Sequence, residues 1–139
     1  MFLLDTNVIS ELRKGKPKQS AAVRAWARAQ PVDQLYISAI SQLELEIGVR
    51  LMERRDPAQG AVLRSWTNAV MDSFRGRILS FSTETVQLCA SLHVPDPRSF
   101  RDSMIAATAL EHGFTVVTRN LRDFDHTGVT LQNPWDPAR

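Results

Sequence analysis

The chain is poor in the residues that build chemistry-bearing or cross-linked sites. Its one cysteine, Cys89, has no partner for an internal disulfide, which fits a reducing compartment. Cys89 falls in the apolar pattern of a helix, where a packed thiol is expected rather than a nucleophile. The three histidines, His93, His112 and His126, are scattered without ligand spacing, so nothing points to zinc. The six glycines stand singly, which excludes a P-loop or a dinucleotide fingerprint. No apolar run approaches the roughly 20 residues of a membrane span. Met1-Phe2-Leu3-Leu4 is too short for a signal core and runs straight into an acid. A cytoplasmic protein without membrane contact is expected. Net charge is only +2, a balance that tolerates a polyanionic partner without arguing for one.

What is present is ordinary for a globular protein: 43% hydrophobic and 23% charged residues over 139 positions, enough for one domain spanning 1–139 with a real core. Met1 to Leu4 has no polar alternation and reads as a strand buried on both faces, with Asp5 where it should end. A short helix from about Val8 to Leu12 follows, then an exposed basic loop over Arg13 to Lys18. Ser20 to Gln30 reads as a helix and Leu35 to Ile37 as a second strand. The next helix runs to about Arg55 with two apolar faces, one of Ile40, Leu43, Ile47 and Leu51 and another of Leu45, Val49 and Met52, the second being the better candidate for the core. Pro57 opens a further helix that ends by Gly76 and should form an antiparallel hairpin with its predecessor. Ile78 to Phe81 is a third strand, followed by a helix to about Leu92. The two prolines in His93 to Arg98 interrupt regular structure, and Phe100 to Leu110 is again helical. Phe114 to Thr118 is the clearest strand of all, and Val129 to Leu131 a short last one. This alternation predicts an α/β fold: a short parallel sheet with helices on both faces.

Carboxylates recur where strands give way to helices. Asp5 follows the first strand, Glu44 and Asp102 lie near two helix starts, and Asp123 follows the fourth strand. Each has a local explanation. Asp5 or Thr6 can cap the first helix, Ser41-x-x-Glu44 and Ser99-x-x-Asp102 match capping boxes, and Asn120 stands in the same relation to Asp123. The local explanations do not account for all four gathering at the carboxyl edge of the sheet, where α/β proteins place their chemistry. Acids converging there repel one another unless a cation neutralises them, and oxygen ligands select magnesium or manganese over zinc. Glu46 is set apart by a helical pair with Arg50.

Taken together, Leu4-Asp5-Thr6-Asn7 with Ser10, Ser38-Ala39-Ile40 leading to Glu44-Leu45 and Gly48, Asp102 ahead of Ile105-Ala106-Ala107-Thr108-Ala109, Val117-Thr118-Arg119-Asn120 with Asp123-Phe124, and the closing Leu131-Gln132-Asn133-Pro134-Trp135 resemble the PIN-domain nucleases, in particular the VapC and FitB toxins of bacterial toxin–antitoxin pairs. The resemblance implies a single PIN-like domain acting as a magnesium-dependent endoribonuclease, with manganese an alternative ion. It implies an acidic triad of Asp5, Glu44 and Asp102. The fourth acidic position falls to Asp123 or Asn120, since Asn120 stands where some members carry aspartate. Thr6, Asn7, Thr118 and Asn120 would orient ligands or water. It further implies a homodimer inhibited by a cognate antitoxin, with DNA contacted only through that complex.

Hydrolysis of a phosphodiester needs an activated water and stabilised charge on the phosphate oxygens, which ions held by these acids would provide. Arg13, Arg98, Arg101 and Arg119 are candidates to offset the site's negative charge and to guide an RNA backbone. A phosphatase of the haloacid-dehalogenase kind needs a second acid two residues after the first, and Asn7 stands there instead. The competing function is a module that binds RNA or a protein partner without cutting. Removing one acid is expected to relieve repulsion in the metal-free protein.

Overall fold

Phe2–Leu4 forms β1, the central strand of a five-stranded sheet, which is why it carries no polar alternation. In the computed structural model, which describes residues 1–136, Leu3 and Leu4 are both buried, each in a different core cluster. The last three positions of the expected 1–139 domain lie outside the described residues. β2 (Leu35–Ser38) and β4 (Thr115–Val117) flank β1. β3 (Ile78–Leu79) lies outside β2 and β5 (Leu131–Gln132) outside β4, giving the order β3-β2-β1-β4-β5 with every pairing parallel. β5 starts two residues later than the sequence pattern suggests. β3 stops two residues sooner, because it is an edge strand that pairs only with Ile37 and Ser38 at the end of β2.

Parallel neighbours require crossovers, and the helices supply them. They are α1 (Thr6–Glu11), α2 (Ala21–Ala29), α3 (Ala39–Arg55), α4 (Pro57–Ser73), α5 (Thr83–Ser91) and α6 (Phe100–His112). One face of the sheet gathers Leu4, Ile37 and Val117 against Val8 and Ile9 of α1, Val23 and Trp26 of α2 and Leu45 of α3. The other gathers Leu3 and Val116 against Ile105, Ala106 and Ala109 of α6, with Phe124 beneath them. Adjacent residues of one strand thus point into opposite cores, as the two-residue period of a strand demands.

α3 settles which of its two apolar faces is core. Leu45 and Val49 are buried and Met52 is half-buried. Of the other face, Ile40 is half-buried against the second core cluster, while Leu43, Ile47 and Leu51 are 54%, 48% and 65% exposed and take no part in the core. α3 turns directly into α4 at Asp56, whose carboxylate caps the second helix by accepting from the Gln59 N–H at 3.2 Å. The two helices then pack as the expected hairpin, so closely that a Cβ on Gly60 would stand 2.5 Å from the Glu53 Cα. Arg64 of α4 fastens the hairpin, reaching Glu46 at 2.5 Å and Glu53 at 3.1 Å, while Glu46 also pairs with Arg50 at 3.1 Å.

The topology fixes where a site can form. The chain builds β2 and β3 on one side of β1 before crossing to β4 and β5, so the switch point lies between β1 and β4. The register sets Leu4 beside Val117 and Leu3 beside Tyr36. Asp5 and Thr118, just beyond β1 and β4, and Ser38, the last residue of β2, therefore emerge level with one another at the carboxyl edge, where open α/β sheets bind ligands.

Candidate functional site

Asp5 both caps a helix and belongs to a cluster of charged groups. It is the N-cap of α1, accepting from the Thr6 N–H at 2.7 Å, so the helix begins two residues before Val8. Its other carboxylate oxygen accepts from the Thr118 hydroxyl at 2.8 Å, and the side chain is fully buried. A buried carboxylate is tolerable only when its oxygens are satisfied by donors or cations.

Glu44 reaches the same place by a different route from the one its spacing suggests. Ser38, not Ser41, caps α3, its hydroxyl accepting from the Ser41 N–H at 3.1 Å. Ser41 is therefore inside the helix, no Ser41–Glu44 capping box forms, and Glu44 sits in the second turn. Its carboxylate is free to face α1, where it accepts from the Thr6 hydroxyl at 2.6 Å. The Ser41 hydroxyl lies 2.9 Å from that same Thr6 oxygen, a contributor that the sequence pattern assigned only to capping. Asp102 arrives on the first turn of α6. Ser99 caps this helix by accepting from the Asp102 N–H at 3.4 Å, but the Asp102 carboxylate does not return the bond. It turns into the cluster instead.

The group that unites these acids is Arg101. Its Nε stands 2.9 Å from Glu44 Oε2 and its Nη1 2.7 Å from Asp102 Oδ1, while Nη2 bonds Asp5 Oδ1. Burial works against the charged guanidinium, yet Glu44, Asp5 and Asp102 more than offset it and hold the proton more firmly than on a free arginine. Three acids separated by as many as 97 positions in the chain are thus joined through one planar cation.

Asp123 lies on the rim, exposed, in a 3₁₀ turn over Leu121–Phe124 that follows β4. Its carboxyl is pushed above the usual aspartate range, first by burial and then by the charges of Asp102 and Asp5, against the opposing pull of Arg101. Asn120 makes no side-chain cap to that turn, and it is its backbone N–H that donates to the Thr118 hydroxyl at 3.0 Å. Asn7 ties α1 to the loop after β4, with Nδ2 3.4 Å from Thr118 Oγ1 and Oδ1 accepting from the Arg119 N–H at 3.4 Å. Thr118 is therefore the hub that orients Asp5.

The remaining arginines are held elsewhere. Arg13 lies over the Trp66 ring, 6.0 Å from its centre, and Arg119 over Trp135 at 5.2 Å. Arg98 donates to the Leu92 carbonyl at 2.9 Å. Arg13, Lys16 and Trp66 nevertheless line a cleft of about 280 Å³ that opens beside Thr6 and Glu44. Lys16 is paired with Glu11, a buried acid the sequence pattern passed over. Cys89 is the packed thiol expected, 3.4 Å from the Ser103 hydroxyl. Among the described residues no helix is long and apolar enough to cross a membrane.

Among the described residues no three acidic, histidine or cysteine side chains already stand as a metal-binding group. The donor set still fits a hard dication. Asp5, Glu44 and Asp102 offer only oxygen, and all three already share one cation, the Arg101 guanidinium.

A parallel α/β sheet with an acidic cluster at its switch point defines a class of domain, and comparison with known proteins says which. The PIN domain family matches residues 2–129, and the chain belongs to that family. Across nearly its whole length it is similar to VapC ribonuclease Y4jK of Sinorhizobium fredii, 39% identical over 99% of this chain and 100% of that protein. Toxin FitB of Neisseria gonorrhoeae is 33% identical over 97% of this chain and 99% of its own. Among solved structures, FitAB bound to an IR36 DNA fragment superposes with a TM-score of 0.88 at 33% identity, covering 97% of this chain and 96% of that one. DNA-bound VapBC from Salmonella typhimurium gives a TM-score of 0.67 at 29% identity, covering 96% and 97%.

Proposed function

We propose that this chain is a divalent-metal-dependent endoribonuclease and the toxin half of a toxin–antitoxin pair. The observation that carries the reading is the convergence of Asp5, Glu44 and Asp102 on one shared cation at the carboxyl edge of the sheet. Asp5 and Asp102 would hold magnesium, or manganese in its place, directly. Glu44 would hold it through water or hold a second ion, with Asp123 or Asn120 completing the set. Bound there, the ion supplies an acidified water and charge neutralisation on the phosphodiester oxygens. The chain's own residues do the positioning. Thr118 and the Thr6 N–H fix the Asp5 carboxylate, and the Thr6 hydroxyl fixes Glu44. Arg13 beside the site gives the cleft a positive group suited to a phosphate backbone.

The partner follows from the company the fold keeps. FitAB and VapBC are solved as toxin–antitoxin complexes, some with DNA. We infer a cognate antitoxin here, a homodimeric toxin, and DNA contact through the complex alone, in the cytoplasm. The test is cleavage of a defined RNA by the purified protein with and without Mg²⁺, alongside Asp5→Asn, Glu44→Gln and Asp102→Asn. Wild type should cut only with the ion and each variant should fall by at least a hundredfold while keeping its fold. Variants that no longer cut yet still arrest growth would show instead a protein that binds RNA or a partner without cutting.

A further inference from the structure

The cation at the centre of the acidic cluster belongs to the chain itself. Arg101 gives one bond from each of its three nitrogens to Glu44, Asp102 and Asp5, and takes up oxygens that the proposed function needs for a metal. Each of these is a single charge-assisted bond to a different carboxylate, not the two-bond fork a guanidinium makes with one acid, so no one contact locks the arginine in place. Its charge is insufficient too. Asp5, Glu44, Asp102 and the neighbouring Asp123 set four carboxylates against one guanidinium, leaving three formal negative charges at the site. Arg101 is also placed to leave. Its side chain is 30% exposed whereas Asp5 is sealed in, so the arginine can swing towards solvent while Asp5 and Glu44 stay fixed by Thr6 and Thr118.

We propose that Arg101 is a resident counter-cation that a divalent ion displaces, and that the freed guanidinium then engages the phosphodiester of the RNA held at the site. The inference rests on the nuclease reading above. In the metal-free protein Arg101 offsets part of the charge of the acids and keeps the site assembled. On loading, the same oxygens pass to the dication and the arginine moves to the rim. There a guanidinium matches a phosphate as well as it matched the carboxylates. Arg101 is then a positioning residue for substrate, and metal uptake carries the cost of undoing its three contacts.

The test measures ion binding directly. Full-length wild type, Arg101→Gln and Arg101→Lys are titrated with Mn²⁺, followed by calorimetry and by the electron paramagnetic resonance of free ion, with circular dichroism to verify folding. Removing a competitor tightens binding, so the Arg101→Gln midpoint should fall about tenfold or more, the equivalent of ~1.4 kcal/mol. Arg101→Lys, whose point charge cannot span three acids, should fall between the two. Affinity of the Mn²⁺-loaded protein for an uncleavable 2′-O-methyl RNA should weaken in Arg101→Gln, with its salt slope shallower by about 0.7 for one lost phosphate contact. An Arg101→Gln midpoint equal to or higher than that of wild type overturns the exchange, as does unaltered RNA affinity overturn the phosphate contact. In either case wild type that binds Mn²⁺ and cuts RNA leaves the nuclease reading standing. Wild type that neither binds the ion nor cuts overturns both. If Arg101→Gln fails to fold, the Arg101→Lys titration alone decides.

Discussion

Neutralising Asp5 should weaken the metal-free protein, the reverse of what charge repulsion among acids suggests from the sequence. Every neighbour that Asp5 touches is a donor: the Thr6 N–H, the Thr118 hydroxyl and the Arg101 guanidinium. In Asp5→Asn an amide NH₂ replaces one oxygen and the charge assistance disappears from all three bonds. Hydrogen bonds to charged groups are worth roughly 1.5–3 kcal/mol against about 1 for neutral ones, so the gross loss is about 3 kcal/mol. Arg101 keeps Glu44 and Asp102, and Thr118 can turn its hydroxyl to accept, which trims the net cost to roughly 2–3 kcal/mol. For a chain of this size that corresponds to a fall in Tm of about 6–12 °C. The measurement is thermal and urea unfolding of both proteins in EDTA, at low salt and at high. Because Asp5 is fully buried, the loss should persist in high salt, which screens exposed pairs far more than buried ones. A variant as stable as wild type in EDTA would refute the assignment of Arg101 as the group that makes this acid tolerable.

The two apolar faces of α3 give a paired test. Leu45→Ala should cost about 2–4 kcal/mol by urea unfolding and Leu51→Ala less than about 0.5, because the first is 8% exposed and the second 65%. Gly60→Ala places a methyl against the Glu53 backbone and should destabilise by about 1–3 kcal/mol, visible as a lower urea midpoint with an unchanged slope. Glu11 is held below its ordinary 4.5, chiefly by the Lys16 ammonium and then by the Ser20 N–H. The stabilisation it gives is therefore complete above pH 4.5 and lost as pH falls through the lowered value, so Glu11→Gln should flatten the acid limb of a stability-versus-pH curve. A variant curve parallel to wild type below pH 4.5 would contradict this.

The sequence by itself determined the alternation of strands and helices, and hence the parallel sheet, because periodicity and turn chemistry are local properties of a chain. It also marked Asp5, since the residue that ends a buried strand is visible as the first polar position after an apolar run, whereas Thr118 entered only through the family resemblance. Glu44 was legible as one of the acids that gather near the carboxyl edge, but its route there was not. The local pattern made it a capping partner of Ser41, and the structure caps the helix three residues earlier and frees the carboxylate. Which face of α3 is core was settled by where α4 and the sheet lie, a matter of packing between distant segments that hydrophobic spacing on one helix does not contain. Arg101 is the clearest case. On the sequence it is one arginine among several, beside an acid with which it shares a helix turn. Only the crossing of the chain from β3 to β4 brings α6 against β1 and α3. That crossing sets the guanidinium among three carboxylates whose charges no local stretch could have balanced.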